Sequence, residues 1–208
     1  GESAFRKCSS LTEIRIPDSV TGIGRYAFFH CTNLTNVTLP DGITSIADYT
    51  FEGCGKLAGI NIPEGVTHIG YKAFYQCDDL THLSIPASVK TIDSGALGYY
   101  PACSTAFTVA VDNPSYSSDA CGVLFDKDRT RMLHVPDSIE GVYTVPQSVT
   151  ELPDYAFRNC VGLTGVMIPE NVTSIGDYAF CLCGLDSIII PTSVVSIGNS
   201  AFEHSALV

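Results

Sequence analysis

Short runs that finish on two apolar residues separated by a polar one recur along the chain, each closed by a proline: L-T-E-I-R-I-P over residues 11–17, L-T-N-V-T-L-P over 34–40 and L-T-H-L-S-I-P over 80–86. Such alternation predicts a strand with one buried face, ended by proline because proline has no N–H to give to a ladder. A polar turn follows, then an apolar residue and a second one three positions on, as in Val66 and Ile69, so this segment also turns a face inward. The third element, x-A-F-x-x-C-x-x-L, sets Ala27 four residues and Phe28 three residues before Cys31. That spacing predicts one helical or 3-10 turn with a buried stripe.

The three elements repeat as a unit. Cys8, Cys31, Cys54 and Cys77 fall at intervals of 23 residues, and aligned copies run over 23–45, 46–68, 69–91 and 152–174, with a further copy over 175–196 that is one residue shorter after its cysteine. A fixed period of this length predicts a solenoid, in which no coil is stable alone and each is held by its neighbours. Eight parallel strands are expected, near residues 13–16, 36–39, 59–62, 82–85, 107–111, 142–145, 165–168 and 187–190. We expect a single domain over 1–208, with regular repeats in 1–91 and 152–208 and an irregular repeat in 92–151. Within the irregular part, G-V-L-F and R-M-L-H-V-P flank the polar D-K-D-R-T, which reads as a β-hairpin growing out of one repeat; that Met132 to Val135 is itself a stacked strand stays open. Both ends fall in mid-repeat, which predicts that the chain is part of a longer array.

The motif A-F-x-x-C-x-x-L-T-x-I-x-I-P-x-x-V-T-x-I-G resembles the repeats of the BspA-like leucine-rich repeat surface proteins, and the resemblance spans nearly the whole chain. It implies an α/β-type repeat solenoid: a right-handed superhelix with parallel β-strands on one face, short helical or 3-10 turns on the other, and one inserted β-hairpin. It also implies an extracellular, cell-surface protein of bacterial type. The expected role is that of a non-enzymatic adhesion or protein-interaction module with a protein or glycan partner on a host or microbial surface, or else of a stalk that presents another domain.

Composition narrows the partners. Acidic residues outnumber basic ones 22 to 11, a formal charge of −11, which disfavours nucleic acid and anionic lipid. No apolar run approaches the roughly 20 residues of a membrane span, so no membrane insertion is expected. V-T-G-I-G-R-Y-A-F, residues 20–28, carries the Gly-x-Gly-x-x-Ala spacing of a dinucleotide-binding loop. The equivalent copies replace its first glycine by Ser45, His68 or Ser174 and its second by Ala47, so the glycines belong to the corner of a coil.

No catalytic residue, metal site or cofactor is expected. The cysteine ladder reads as buried free thiols, because parallel in-register side chains hold their Cβ atoms at about the 4.8 Å strand spacing, beyond disulfide reach. Cys103, Cys121 and Cys181 lie off the ladder and are the places for any oxidation or reactivity. His30, His68, His82, His134 and His204 fall at different phases of the repeat and read as scattered surface residues. Asp126-x-Asp128 reads as a hairpin turn rather than a calcium loop, since Arg131 stands where that loop needs glycine. The outward face of the strands is the expected ligand-binding surface, carried by Glu13, Arg15, Asn36, Thr38, Asn61, His82, Ser84, Met167, Ser187 and Ile189.

Overall fold

The computed structural model describes residues 1–93, 95–97 and 104–207, which form two compact units, Gly1–Ser115 and Tyr116–Val208. The first contains β1 (Glu13–Arg15), β2 (Asn36–Thr38), β3 (Ser45–Ile46), β4 (His68–Ile69), β5 (His82–Ile85), β6 (Thr91–Ile92) and β7 (Ala106–Val109). β1 pairs with β2 and β5 with β7, in parallel, so that Ile14 lies beside Val37 and Leu83 beside Phe107. A second parallel ladder, β3-β4-β6, aligns Ile46, Ile69 and Ile92. These two-residue strands close the segments 43–46, 66–69 and 89–92, I-T-S-I, V-T-H-I and V-K-T-I, too short to show an alternation of their own.

The second unit contains β8 (Tyr116–Ser118), β9 (Leu124–Asp126), β10 (Met132–His134), β11 (Gly141–Thr144), β12 (Glu151–Leu152), β13 (Leu163–Met167), β14 (Ser174–Ile175) and β15 (Ser196–Ile197). β11 pairs with β13, and β12-β14-β15 repeat the second ladder. The hairpin is present as β9 and β10, antiparallel, so Met132 to His134 does not join the parallel stack. It is larger than expected, because β8 adds a third antiparallel strand on β9. Nor is it a mere outgrowth: Val123, Phe125 and Met132 share one core with Tyr143, Val145, Leu152 and Phe157.

Two of the eight expected strands are extended chain without a ladder. Over 59–62, Ile60 and Ile62 are buried and Asn61 is exposed, as the alternation requires, but Gly59 has no side chain to pack on a pleated surface. Over 187–190 the coil is one residue short. The contraction falls at Gly184, whose N–H bonds the Cys160 carbonyl at 3.1 Å and whose Cα passes so close to the Val161 carbonyl that no Cβ fits.

The expected helical turns are replaced by stacked β-turns. Within one coil, Ala27, Phe29 and Cys31 N–H groups bond the carbonyls of Gly24, Tyr26 and Phe28 at 3.3, 3.2 and 3.0 Å. The N–H groups between them point elsewhere: those of Tyr26, Phe28 and His30 bond Asp48, Thr50 and Glu52 of the next coil at 3.3, 2.9 and 2.7 Å. This alternation requires left-handed backbone at Tyr26 (φ 57°) and His30 (φ 54°), repeated at Tyr49 and Gly53, Lys72 and Gln76, Tyr155 and Asn159, and Tyr178 and Leu182. A helix would direct every N–H along its own axis, and left-handed residues four apart break it. The back wall is thus a third hydrogen-bonded ladder between coils.

Inside the coils the phenylalanines form a column. Phe5, Phe28, Phe51 and Phe74 stack with ring centroids 5.2, 5.4 and 5.6 Å apart, and Phe157, Phe180 and Phe202 do the same in the second unit at 5.2 Å. Each fully buried ring contributes about 2–3 kcal/mol of apolar burial. Beside Phe5 a cavity of about 320 Å³ opens between Ala4, Ile14, Ile16, Val20 and Ile23.

Candidate interaction surface

All ten residues expected on the outward strand face are exposed: Glu13, Arg15, Asn36, Thr38, Asn61, His82, Ser84, Met167, Ser187 and Ile189. In the first unit the register sets Glu13 beside Asn36, Arg15 beside Thr38 and Ser84 beside Thr108. The face there is polar: Arg15 reaches Asp18 at 4.0 Å, and the Ser84 hydroxyl lies 3.4 Å from His82 Nε2. In the second unit Val142 lies beside Gly165 and Thr144 beside Met167, with the Thr144 hydroxyl 3.6 Å from the Met167 sulfur. Val142, Met167 and Ile189 are 64%, 60% and 85% exposed. All three are large apolar side chains open to solvent, two of them on the paired strands β11 and β13. Val142, Thr144 and Thr108 escaped the sequence reading because the period breaks around them.

The corners of the coils carry a second group. Asp48 accepts the Tyr71 N–H at 3.1 Å, and equivalent carboxylates do the same job in the second unit, Asp154 for Asp177 at 2.8 Å and Asp177 for Asn199 at 2.6 Å. Around Asp48 there is more. The His68 ring places Nδ1 2.8 Å from the Thr91 hydroxyl and Nε2 3.6 Å from Asp93, while Arg25 approaches the Asp48 carboxylate at 3.3 Å. Gly70 leaves the space in which Asp48 lies, since a Cβ there would meet its carboxylate at 2.5 Å. Asp48, His68 and Asp93 sit at three different phases of the repeat, so no periodic signal groups them.

The ladder thiols Cys31, Cys54, Cys77, Cys160 and Cys183 are buried, as expected, whereas Cys8, the ladder cysteine of the first coil, is exposed; most of the buried ones are also hydrogen-bond donors to a carbonyl of the preceding coil. Cys31, Cys54, Cys77 and Cys183 bond the carbonyls of Phe5, Phe28, Phe51 and Phe157 at 3.0, 3.1, 3.2 and 2.7 Å. Burial pushes the Cys54 thiol up to about 12, far from the range of a nucleophile or redox cysteine. Off the ladder, Cys181 is buried, Cys121 is exposed, and Cys103 lies outside the described residues. Partial burial and then Asp119 raise the Cys121 pKa, which is the opposite of activation. His30 turns its ring edge toward Phe29 at 4.3 Å, while the neighbouring Cys31 thiol points to Phe5.

The hairpin is held by two carboxylates. Asp126 accepts the N–H groups of Thr130 and Arg131 and the Thr130 hydroxyl at 2.8, 3.1 and 2.6 Å; burial raises its pKa, but these bonds outweigh burial and lower it. Asp119 accepts the N–H groups of Cys121 and Val123 at 3.0 Å each and the Tyr143 hydroxyl at 2.7 Å. Asp126 is therefore occupied by its own turn, as the hairpin reading requires. No helix among the described residues is long and apolar enough to cross a membrane.

Known proteins share this fold. The BspA type leucine rich repeat region matches the chain in six copies, over residues 1–110 and 138–208. A search of curated proteins finds no match. Among solved structures, a leucine-rich repeat protein from Bacteroides ovatus is 29% identical over 97% of this chain and 49% of its own, with a TM-score of 0.66. A leucine rich cell surface protein from Faecalibacterium prausnitzii is 28% identical over 98% and 61%, with a TM-score of 0.71. The pneumococcal vaccine antigen PcpA is 25% identical over 88% and 51%, with a TM-score of 0.72. The chain thus spans roughly half to three fifths of these proteins, by the shares of 49%, 61% and 51%. With its repeat matched over most of its length, the chain belongs to the BspA-type leucine-rich repeat proteins.

Proposed function

We propose that this chain is a non-enzymatic binding module of a bacterial cell-surface protein, and that it takes a protein partner on a host or microbial surface through its strand face. The observation that carries the reading is the exposure of the apolar side chains Val142, Met167 and Ile189, the first two held by the pairing of β11 with β13. Repetition supplies area, and the outward positions vary from coil to coil without disturbing the core, so specificity is free to reside in them. Aliphatic side chains favour a protein over a glycan, which would call for aromatic platforms and polar groups. The cell-surface setting is supported by the family and by the description of the Faecalibacterium relative.

The test is binding of the purified chain, by biolayer interferometry, to panels of matrix proteins, mucins, glycans and bacterial surface proteins. A protein hit should weaken at least about 10-fold, or about 1.4 kcal/mol, in a Met167→Ser/Ile189→Ser double variant. Blank panels would instead favour a spacer that presents another domain.

A further inference from the structure

The recurring task of the corner aspartate, capping one N–H of the next coil, explains Asp48 but not what surrounds it. In the second unit the position equivalent to His68 is Ser174, and Asp154 and Asp177 do their capping without an imidazole. At the Asp48 corner, by contrast, three groups from successive coils converge: an Asp48 carboxylate oxygen, a His68 ring nitrogen and an Asp93 carboxylate oxygen, all within 4.8 Å of one another. Each is oriented by a second bond or by the ladder. Asp48 is fixed by the Tyr71 N–H, and Asp93 directly follows Ile92, which is paired with Ile69 in the β4-β6 ladder. The Thr91 hydroxyl holds His68 Nδ1; with the ring proton assigned to Nδ1, Nε2 faces the carboxylates as a lone-pair donor. An outer hydrogen bond that fixes tautomer and ring angle is the arrangement found around metal-ligating histidines.

We propose that Asp48, His68 and Asp93 form a binding site for a divalent transition metal, with zinc as the best match. One imidazole and two carboxylates are ligands that zinc accepts, and a three-residue set leaves a fourth position for water or an exogenous group. Zinc bonds of about 2.0–2.2 Å set tetrahedral ligands about 3.5 Å apart. His68 Nε2 and Asp93, at 3.6 Å, already meet that separation, and side-chain rotation closes the rest. Gly70 is the floor that lets the Asp48 carboxylate lie over the backbone. Arg25, 3.3 Å from Asp48, balances the carboxylates in the metal-free protein and competes with the ion. All three ligands are partly exposed, so the ion can enter and leave.

Titration calorimetry with zinc chloride, on the whole chain with Cys8, Cys103 and Cys121 replaced by serine, tests the site without competition from those thiols. One zinc per chain is expected. His68→Ala should weaken binding at least about 10-fold, and Thr91→Val, which retains every ligand, should also weaken it about 10-fold through the lost ring anchor. Arg25→Ala should strengthen binding several-fold. Cobalt substitution should give visible absorption bands that vanish in His68→Ala. Far-UV circular dichroism checks that each variant folds, and Thr91→Val and Arg25→Ala keep the test open should His68→Ala misfold. Absence of saturable one-to-one zinc binding, or binding unchanged in both His68→Ala and Thr91→Val, would overturn the proposal.

Discussion

The Cys54 thiol donates to the carbonyl of Phe28, one coil earlier, at 3.1 Å, and that same carbonyl accepts the Cys31 N–H at 3.0 Å. One oxygen therefore ties two coils together. The cysteine is selected for a weak donor of small volume on the inner side of a turn, and a buried thiol costs little to desolvate. Replacement of Cys54 by alanine removes both the bond and the volume and should cost about 1–3 kcal/mol in urea unfolding.

The same thiols make stability sensitive to alkali. Burial, then the neighbouring Cys31 thiol, raises the Cys54 pKa from 9.0 to about 12 in the folded chain, and burial likewise raises that of Cys31. A raised folded-state pKa means that the protonated thiol is favoured on folding. Its contribution is complete below pH 9 and is lost as the pH climbs toward 12. Urea midpoints should accordingly stay flat up to about pH 9 and fall above it, less steeply in Cys54→Ala. An unchanged slope in that variant would show that other groups govern the decline.

Asn113 ties its own coil to the preceding one. It is fully buried; its amide donates to the Pro86 and Val89 carbonyls at 2.7 and 3.0 Å, and its oxygen accepts the Ser115 N–H at 2.9 Å. Asn113→Ala removes the side-chain partner of the Val89 carbonyl and the Ser115 N–H and one of the two donors to the Pro86 carbonyl, which keeps the Val89 N–H at 3.3 Å, and should cost about 2–4 kcal/mol. Asn113→Asp, which sets a carboxylate against two carbonyls, should be at least as damaging at pH 7 and partly relieved at pH 4, where it can donate again. Chemical denaturation at the two pH values reads both effects.

The two glycines of V-T-G-I-G differ in kind. A Cβ on Gly22 meets nothing within 4 Å, whereas one on Gly24 meets the Glu2 nitrogen at 2.5 Å, and one on Gly176 meets the Asp154 nitrogen at 2.5 Å. Gly22→Ala should change stability by less than about 0.5 kcal/mol, and Gly176→Ala should lose about 1–3 kcal/mol through overpacking. Thermal melts of the pair decide whether coil contact, and not a ligand, is what the second glycine serves.

Gln76 is exposed and left-handed at φ 56°, where the equivalent residue one coil back is Gly53 at φ 74°. Gln76→Gly relieves backbone strain of about 1–2 kcal/mol but adds unfolded-state entropy of about 0.5–1 kcal/mol, so it should be neutral or slightly stabilising. Gln76→Val should be destabilising by about 1–2 kcal/mol. Equal stability of the two variants would remove the stacked-turn account of the back wall.

The strands were legible because Ile14 and Ile16, or Leu83 and Ile85, leave no other face to bury, and the hairpin because D-K-D-R-T separates two apolar runs. The back wall was misread for a physical reason. Stacked turns and a helical turn both bring Ala27 and Cys31 inward four residues apart, and side-chain burial does not reveal where the N–H groups go. The discriminating signal was present in Gly53 and Asn159, residue types that favour left-handed backbone, at the position held elsewhere by His30 and Gln76. The ten strand-face residues were legible as exposed positions from alternation alone. The Asp48, His68 and Asp93 corner was not, since its members come from three phases and meet only through the pairing of β3, β4 and β6.

The alternating N–H directions of the back wall also bear on how such arrays change length. Between Ala27 and Cys31 the chain keeps a two-residue parity, with one N–H closing its own turn and the next crossing to the following coil, so a single inserted or deleted codon there reverses the remaining bonds of that coil's turns. Between the cysteine and the next strand there is no parity to keep, and it is there that the copy over 175–196 has lost a residue, at Gly184. Unequal crossing-over between repeats therefore yields a foldable product when its junction falls after the cysteine, and a frustrated one when it falls within the turns.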